Sequence, residues 1–182
     1  MERLVAGALC VLLLGCGDPS QRTGTPEFFE RITGLALAID APRFECHRGG
    51  NAVGRAALYR YDLAPEQVAW FLSPPAHFRE HPRLDGLAEG REYQTWRTGV
   101  PTAPDELELT SQAMAAVYWV LGGSCDGHPQ LEQTVDELQA SLGRATTHFA
   151  GITLPQQHEV LVMNVYVIDV VQQSLYIIDA NP

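Results

Sequence analysis

The sequence predicts an α+β fold: a single small domain with an antiparallel sheet, a C-terminal hairpin and two or three helices. Three observations carry this. Beyond residue 26 the chain mixes runs of two-residue apolar alternation with runs at helical spacing. Its last two β-rich runs, 159–169 and 174–179, are separated by little more than Val171-Gln172-Gln173, which predicts a hairpin. The length, 182 residues, fits one domain.

Each element has a local reason. Thr25-Pro26-Glu27 opens a short helix, with Thr as N-cap, Pro in the first position and an acid in the first turn; Gly34 ends it. Residues 43–48 alternate polar and apolar, so they form a strand with Phe44 and Cys46 facing inward. Gly49-Gly50-Asn51 supplies a turn, and residues 55–61 return as a second strand. Residues 65–72 form a helix with Val68, Phe71 and Leu72 on one face, stopped before Pro74-Pro75. Residues 74–107 are rich in Pro, Gly and charge and read mostly as loop. So long a connection needs a strand inside it, placed at 93–98.

Residues 113–121 pull two ways. Val117, Tyr118, Trp119 and Val120 prefer strand, whereas Met114 and the alanines prefer helix. The Gly122-Gly123 that follows tips the reading to strand. Residues 129–142 are the clearest helix, with Leu131, Val135, Leu138 and Leu142 at helical spacing and Gly143 at the end. The run 159–169 is apolar on both faces between Val160 and Ile168, which places it in mid-sheet. Asn164 and Asp169 interrupt it. A polar residue in a buried run needs a hydrogen-bond partner, and the ordinary outcome is a satisfied core residue.

Charge excludes several function classes. The net charge is −10, from 22 acids and 12 basic residues. All the basic residues are Arg; without Lys there is no Schiff base and no phosphate loop ending in Gly-Lys-Ser/Thr. So acidic a chain lacks the basic surface that nucleic acid requires. The acidity is uneven. Residues 16–97 carry 11 acids and 10 Arg, while residues 98–182 carry 10 acids and Arg144 alone. Helix 129–142 is expected to present Glu132, Asp136 and Glu137 on its polar side with no opposing Arg. Such a face is either a solvated surface or a docking face for a cationic protein.

The N-terminus carries a processing signal. Met1-Glu2-Arg3 precedes an apolar stretch, 4–14, about half the ~20 residues of a membrane-spanning helix. Leu13-Leu14-Gly15-Cys16 resembles the lipobox of bacterial lipoproteins. The resemblance implies cleavage of residues 1–15, diacylation of the Cys16 thiol and a stable anchor to a cell-envelope membrane facing the periplasm. Gly17, in place of Asp, implies the outer membrane. Residues 16–26 then read as the lipidated Cys and a polar tether, whose ten flexible residues span about 17 Å. Residues 27–182 are the globular domain. Cys46 and Cys125 remain as a pair in an oxidising compartment, which suggests a disulfide, the other reading being two buried thiols. The bond would close a loop of about 80 residues, worth ~3–5 kcal/mol in the chain-entropy model.

Candidate chemistry is thin. His77-Phe78-Arg79-Glu80-His81 fits His-x-x-Glu-His, in which both His bind zinc on one helix face and Glu80 acts as base. Pro74-Pro75 and Pro82 leave only about one turn for that helix. An exposed charged loop is the plainer reading. Ser124, Cys125 and His128 nearly form a nucleophile elbow, but Asp126 stands where a Gly is needed. Arg48-Gly49-Gly50 and Gly54-Arg55 could cradle an anion through backbone N–H groups, or simply form a turn.

The expectation is therefore a membrane-anchored envelope lipoprotein with a non-enzymatic binding domain, no cofactor and no metal. Its partners are the membrane and a cationic protein, not nucleic acid. Two alternatives remain: an immunity-type inhibitor of a cationic envelope toxin, and an envelope metal-dependent hydrolase using His77, Glu80 and His81.

Overall fold

The computed structural model describes residues 27, 29–30, 42–49, 55–73, 92–121, 129–155 and 160–179. These form an α+β domain. Six strands pair throughout antiparallel: β1 (Phe44–Gly49), β2 (Arg55–Asp62), β3 (Glu92–Thr98), β4 (Thr147–Pro155), β5 (Val160–Asp169) and β6 (Ser174–Asp179). Their spatial order is β1-β2-β6-β5-β4-β3. Three helices accompany them: α1 (Pro65–Leu72), α2 (Pro104–Leu121) and α3 (Leu131–Leu142). Residues 27, 29 and 30 are also helical, where the sequence expects a first helix.

The sheet is buried on both faces. On one face, Leu58, Phe149, Val165, Val167, Tyr176 and Ile178 meet Leu109, Ala113 and Val117 of α2 and Leu131, Val135 and Leu138 of α3. On the other, Tyr61, Ile152, Tyr166, Ile168, Leu175 and Ile177 meet Phe29 and, from α1, Val68 and Phe71. This explains the apolar character of the 159–169 run. β5 and β6 lie in mid-sheet, covered on both faces, and so carry apolar residues at most positions. Phe44 and Cys46 face inward, and β1 pairs with β2, as the alternation predicts.

Two expectations fail. Residues 113–121 are helix, the C-terminal half of α2. The element starts inside the stretch read as loop: Pro104 opens it and Asp105 and Glu106 fill the first turn, where acids favour the positive end of the helix. Glu106 accepts the backbone N–H groups of Thr102 and Ala103 at 2.9 and 3.0 Å, so two donors ahead of the first turn are met. Leu109, Ala113 and Val117 then recur every four residues and bury one stripe, which overrides the strand preference of the β-branched and aromatic residues. Leu72 is the second failure. Val68 and Phe71 are buried, but Leu72 is 42% exposed, because α1 presents a narrower stripe to the sheet than three apolar residues suggest.

β4 has no counterpart in the sequence reading. Its face toward α2 includes Gly151, and there a close approach requires glycine. A Cβ at that position would stand 2.5 Å from Leu109 Cδ1 and 3.0 Å from the Asn164 carbonyl oxygen. Gly151 thus lets α2 lie tight against the sheet.

Candidate functional site

The acidic C-terminal half is less bare than its charge count implies. Arg97 of β3 reaches α2, with Nη2 2.6 Å from Asp105 and Nη1 3.1 Å from Glu106. The Thr102 and Ala103 N–H groups, and then Arg97, hold the Glu106 carboxyl below its ordinary pKa against a smaller upward effect of desolvation. Arg60 of β2 pairs with Glu137 of α3 and lies over the Tyr176 ring, 5.9 Å from its centroid. Glu137 therefore has an opposing Arg, contrary to expectation. Arg144 pairs with Asp169. The sequence could not show this, because Arg60 and Arg97 come from the balanced half of the chain. On the outer helices Asp105 is exposed but paired with Arg97, while Glu108, Glu132 and Asp136 are exposed with no ion pair among the described residues.

Beside the Arg60–Glu137 pair, Arg43, Phe44, Arg60, Gln130, Gln133 and Thr134 line a small polar cleft of about 30 Å³, room for water. Its charges are already matched: Arg43 Nη1 lies 3.3 Å from Asp62. Gln133 donates to Glu137, and the Thr134 hydroxyl donates to the Gln130 carbonyl. Arg60 Nε is buried without a hydrogen-bond partner among the described residues. An anion entering here would meet the carboxylates of Asp62 and Glu137.

Asp169 ends β5 and is completely buried. Ser141 Oγ donates to Oδ2 at 2.7 Å, and Arg144 Nη1 reaches the same oxygen. Oδ1 accepts the N–H groups of Val171 and Gln172 at 2.9 and 3.0 Å. This closes the β5–β6 turn, where Gln173 takes the left-handed conformation at φ 52°. Burial pushes the Asp169 pKa up, but these donors and the Arg144 charge outweigh it and hold the group ionised below the ordinary aspartate value. The arrangement ties α3 to the hairpin. Nearby, burial raises the Tyr176 pKa, so its hydroxyl stays neutral.

The opposite face of the sheet shows three rows of side chains in register. One runs Tyr61, Leu175, Ile168, His148, Thr98; the next Tyr59, Ile177, Tyr166, Ala150; the third Ala57, Asp179, Asn164, Ile152. In the first row His148, 6% exposed, places Nδ1 2.8 Å from Thr98 Oγ1 and packs its ring against Phe71. An imidazole beside a hydroxyl resembles a base beside a nucleophile. Acyl transfer also needs donors for the developing oxyanion, and the next backbone N–H, of Gly99, is bound to the Thr147 carbonyl at 2.9 Å.

The third row holds a surprise. Asn164 has zero exposure, and among the described residues neither its Oδ1 nor its Nδ2 has a hydrogen-bond partner. The expected satisfied core Asn is not found. The register on β4 shifts here, from Ile152↔Asn164 to Thr153↔Val162, so Met163 is an extra residue on β5.

The other sequence candidates fare as follows. Cys46 is disulfide-bonded. Its expected partner Cys125 lies outside the described residues, as do Cys16, His77, Glu80, His81, Ser124 and His128. Of the glycine cradle, Arg48, Gly49 and Arg55 fall on strands, and Gly50 and Gly54 lie outside the described residues. Among the described residues, no three His, Cys, Asp or Glu side chains are placed to share a metal. Among them too, no helix is long and apolar enough to cross a membrane. Comparison of the chain with protein-family models, with curated proteins and with solved structures returns no match.

Proposed function

We propose that this chain is a lipid-anchored lipoprotein of the bacterial cell envelope whose α+β domain is a non-enzymatic binding module for a cationic protein. The observation that carries the anchor is Leu13-Leu14-Gly15-Cys16 after a short apolar stretch. The binding role is supported by Glu108, Glu132 and Asp136, exposed on α2 and α3 after Arg60, Arg97 and Arg144 have taken up other acids. A residual negative field raises association rates with a basic surface and adds specificity. An immunity-type inhibitor of a cationic envelope toxin is the finer form of the same reading.

Two measurements test it. Cys16→Ala is expected to abolish palmitate labelling and release the protein from membranes; a labelled or membrane-bound variant refutes the anchor. A partner captured from envelope extract is expected to bind less tightly as salt rises. Glu108→Gln, Glu132→Gln and Asp136→Asn together are expected to weaken binding and flatten that salt dependence. Salt-insensitive capture refutes the acidic face.

A further inference from the structure

We propose that α1 is the side of the domain that rests on the lipid surface, with Trp70 and Leu72 entering the interfacial region of the bilayer. This rests on the lipid anchor at Cys16 and deepens that reading by fixing which face of the domain the membrane meets.

Three observations point the same way. First, α1 departs from the ordinary pattern of a surface helix, which turns charged and polar residues outward. α3 follows that pattern and exposes Glu132, Gln133, Asp136 and Gln139. α1 buries Val68 and Phe71 yet exposes Pro65, Ala69, Trp70 and Leu72 beside a single acid, Glu66. Trp70 is 43% and Leu72 42% exposed. Second, the chain enters the domain beside this helix. Phe29 packs on the same sheet face as α1, and the rings of Phe29 and Phe71 both meet Trp96, at 6.3 and 5.1 Å between centroids. Ten residues separate Cys16 from Glu27. A tether of that length spans about 17 Å, which keeps α1 within reach of the lipid. Third, the unpaired acids lie elsewhere. Glu108, Glu132 and Asp136 sit on α2 and α3, which cover the opposite face of the sheet. With α1 against the lipid, the acidic face points away from the membrane, toward a soluble partner.

The side chains suit that surface. An indole is apolar in body with one N–H at its edge, and Trp favours the membrane–water interface for that reason. Leu72 adds apolar area. Glu27, Glu30 and Glu66 are exposed at this face, so the contact draws on apolar burial and needs no anionic headgroup. Two side chains are too few to hold a soluble domain on a bilayer. A tethered module, however, acts at an effective concentration on the order of millimolar, so a weak contact suffices.

The test adds the full lipidated chain to phosphatidylcholine vesicles whose acyl chains carry bromine, a short-range quencher of indole fluorescence. Vesicle flotation reports the anchor. The chain has three indoles, Trp70, Trp96 and Trp119. The wild type is expected to lose more fluorescence than Trp70→Phe, the difference being the contribution of Trp70. Leu72→Ser keeps every indole and is expected to reduce that loss. Glu132→Trp in a Trp70→Phe background puts an indole on the acidic face, which is expected to escape quenching. A chain that does not float overturns the anchor and this orientation with it. A floating chain overturns the orientation alone if it loses equal fluorescence with and without Trp70, if the loss is undiminished in Leu72→Ser, or if the indole at position 132 is quenched as strongly. The α1 face then belongs to a protein partner.

Discussion

The two polar residues of β5 are opposites. Asp169, at the strand's C-terminal end, receives four donors from Ser141, Arg144, Val171 and Gln172. Asn164, five positions earlier and also without solvent exposure, receives none among the described residues. Both interrupt the same apolar run. They differ in what tertiary structure brings to them: α3 and a tight turn at one end, a bulge and a carboxylate-bearing neighbour at the other. A buried polar group is therefore not one kind of feature. Satisfied, it fixes a turn and docks a helix; unsatisfied, it is a weakness in the core.

Substitutions separate the two ends. Asp169→Ala is expected to cost about 3–5 kcal/mol in denaturant unfolding, because Arg144 and three further donors lose their acceptor together. The same group sets an acid limit. Its folded pKa lies below the ordinary value of 3.8, so its stabilising contribution is complete above 3.8 and is lost as pH falls through the lower folded value. Stability measured against pH in Asp169→Asn is expected to lack this loss; an unchanged acid limb would sink the assignment.

Behind Asn164, Gly151→Ala is expected to cost roughly 1–3 kcal/mol, because the new methyl group meets Leu109 and the Asn164 carbonyl. A neutral result would mean that α2 has room to retreat. Glu137→Ala is expected to lose about 1–3 kcal/mol, since it leaves the buried Arg60 guanidinium with only Asp62, 4.0 Å away. The double variant Arg60→Met/Glu137→Leu is expected to recover most of that loss, because apolar replacements of a buried pair pack without a desolvation penalty. Asn164→Val comes last, with a change of about zero or a gain below ~1 kcal/mol, since it removes two unmet polar atoms. A loss as large as that of Asp169→Ala would erase the contrast.

Much of the fold was legible because its signals are local. The alternation in 43–48, the spacing of Leu131, Val135 and Leu138, and the two runs around Val171-Gln172-Gln173 each lie within a dozen residues of themselves. α2 was misread because its C-terminal half carries strand-preferring side chains. Its true signal was Pro104-Asp105-Glu106 at the start and a four-residue spacing from Leu109 onward. β4 escaped because His148, Ala150 and Gly151 blur its alternation, and these residues acquire their faces only beside β3 and β5. Of the candidate site, Asn164 was visible as an oddity in an apolar run. Its lack of partners was not, since that depends on which atoms of other strands and helices come within 3.5 Å.

Composition and periodicity alone settle the chain's net charge of −10, its lack of Lys and most of its elements. They do so because charge is additive and amphipathic repeats are local. Long-range contact decides the rest. Arg60 and Arg97, from the balanced half, neutralise acids of the other half. Strand preference yields to a buried helical stripe in α2. Asp169 finds four donors while Asn164 finds none, because hydrogen bonding and burial depend on distances that no single stretch of sequence contains.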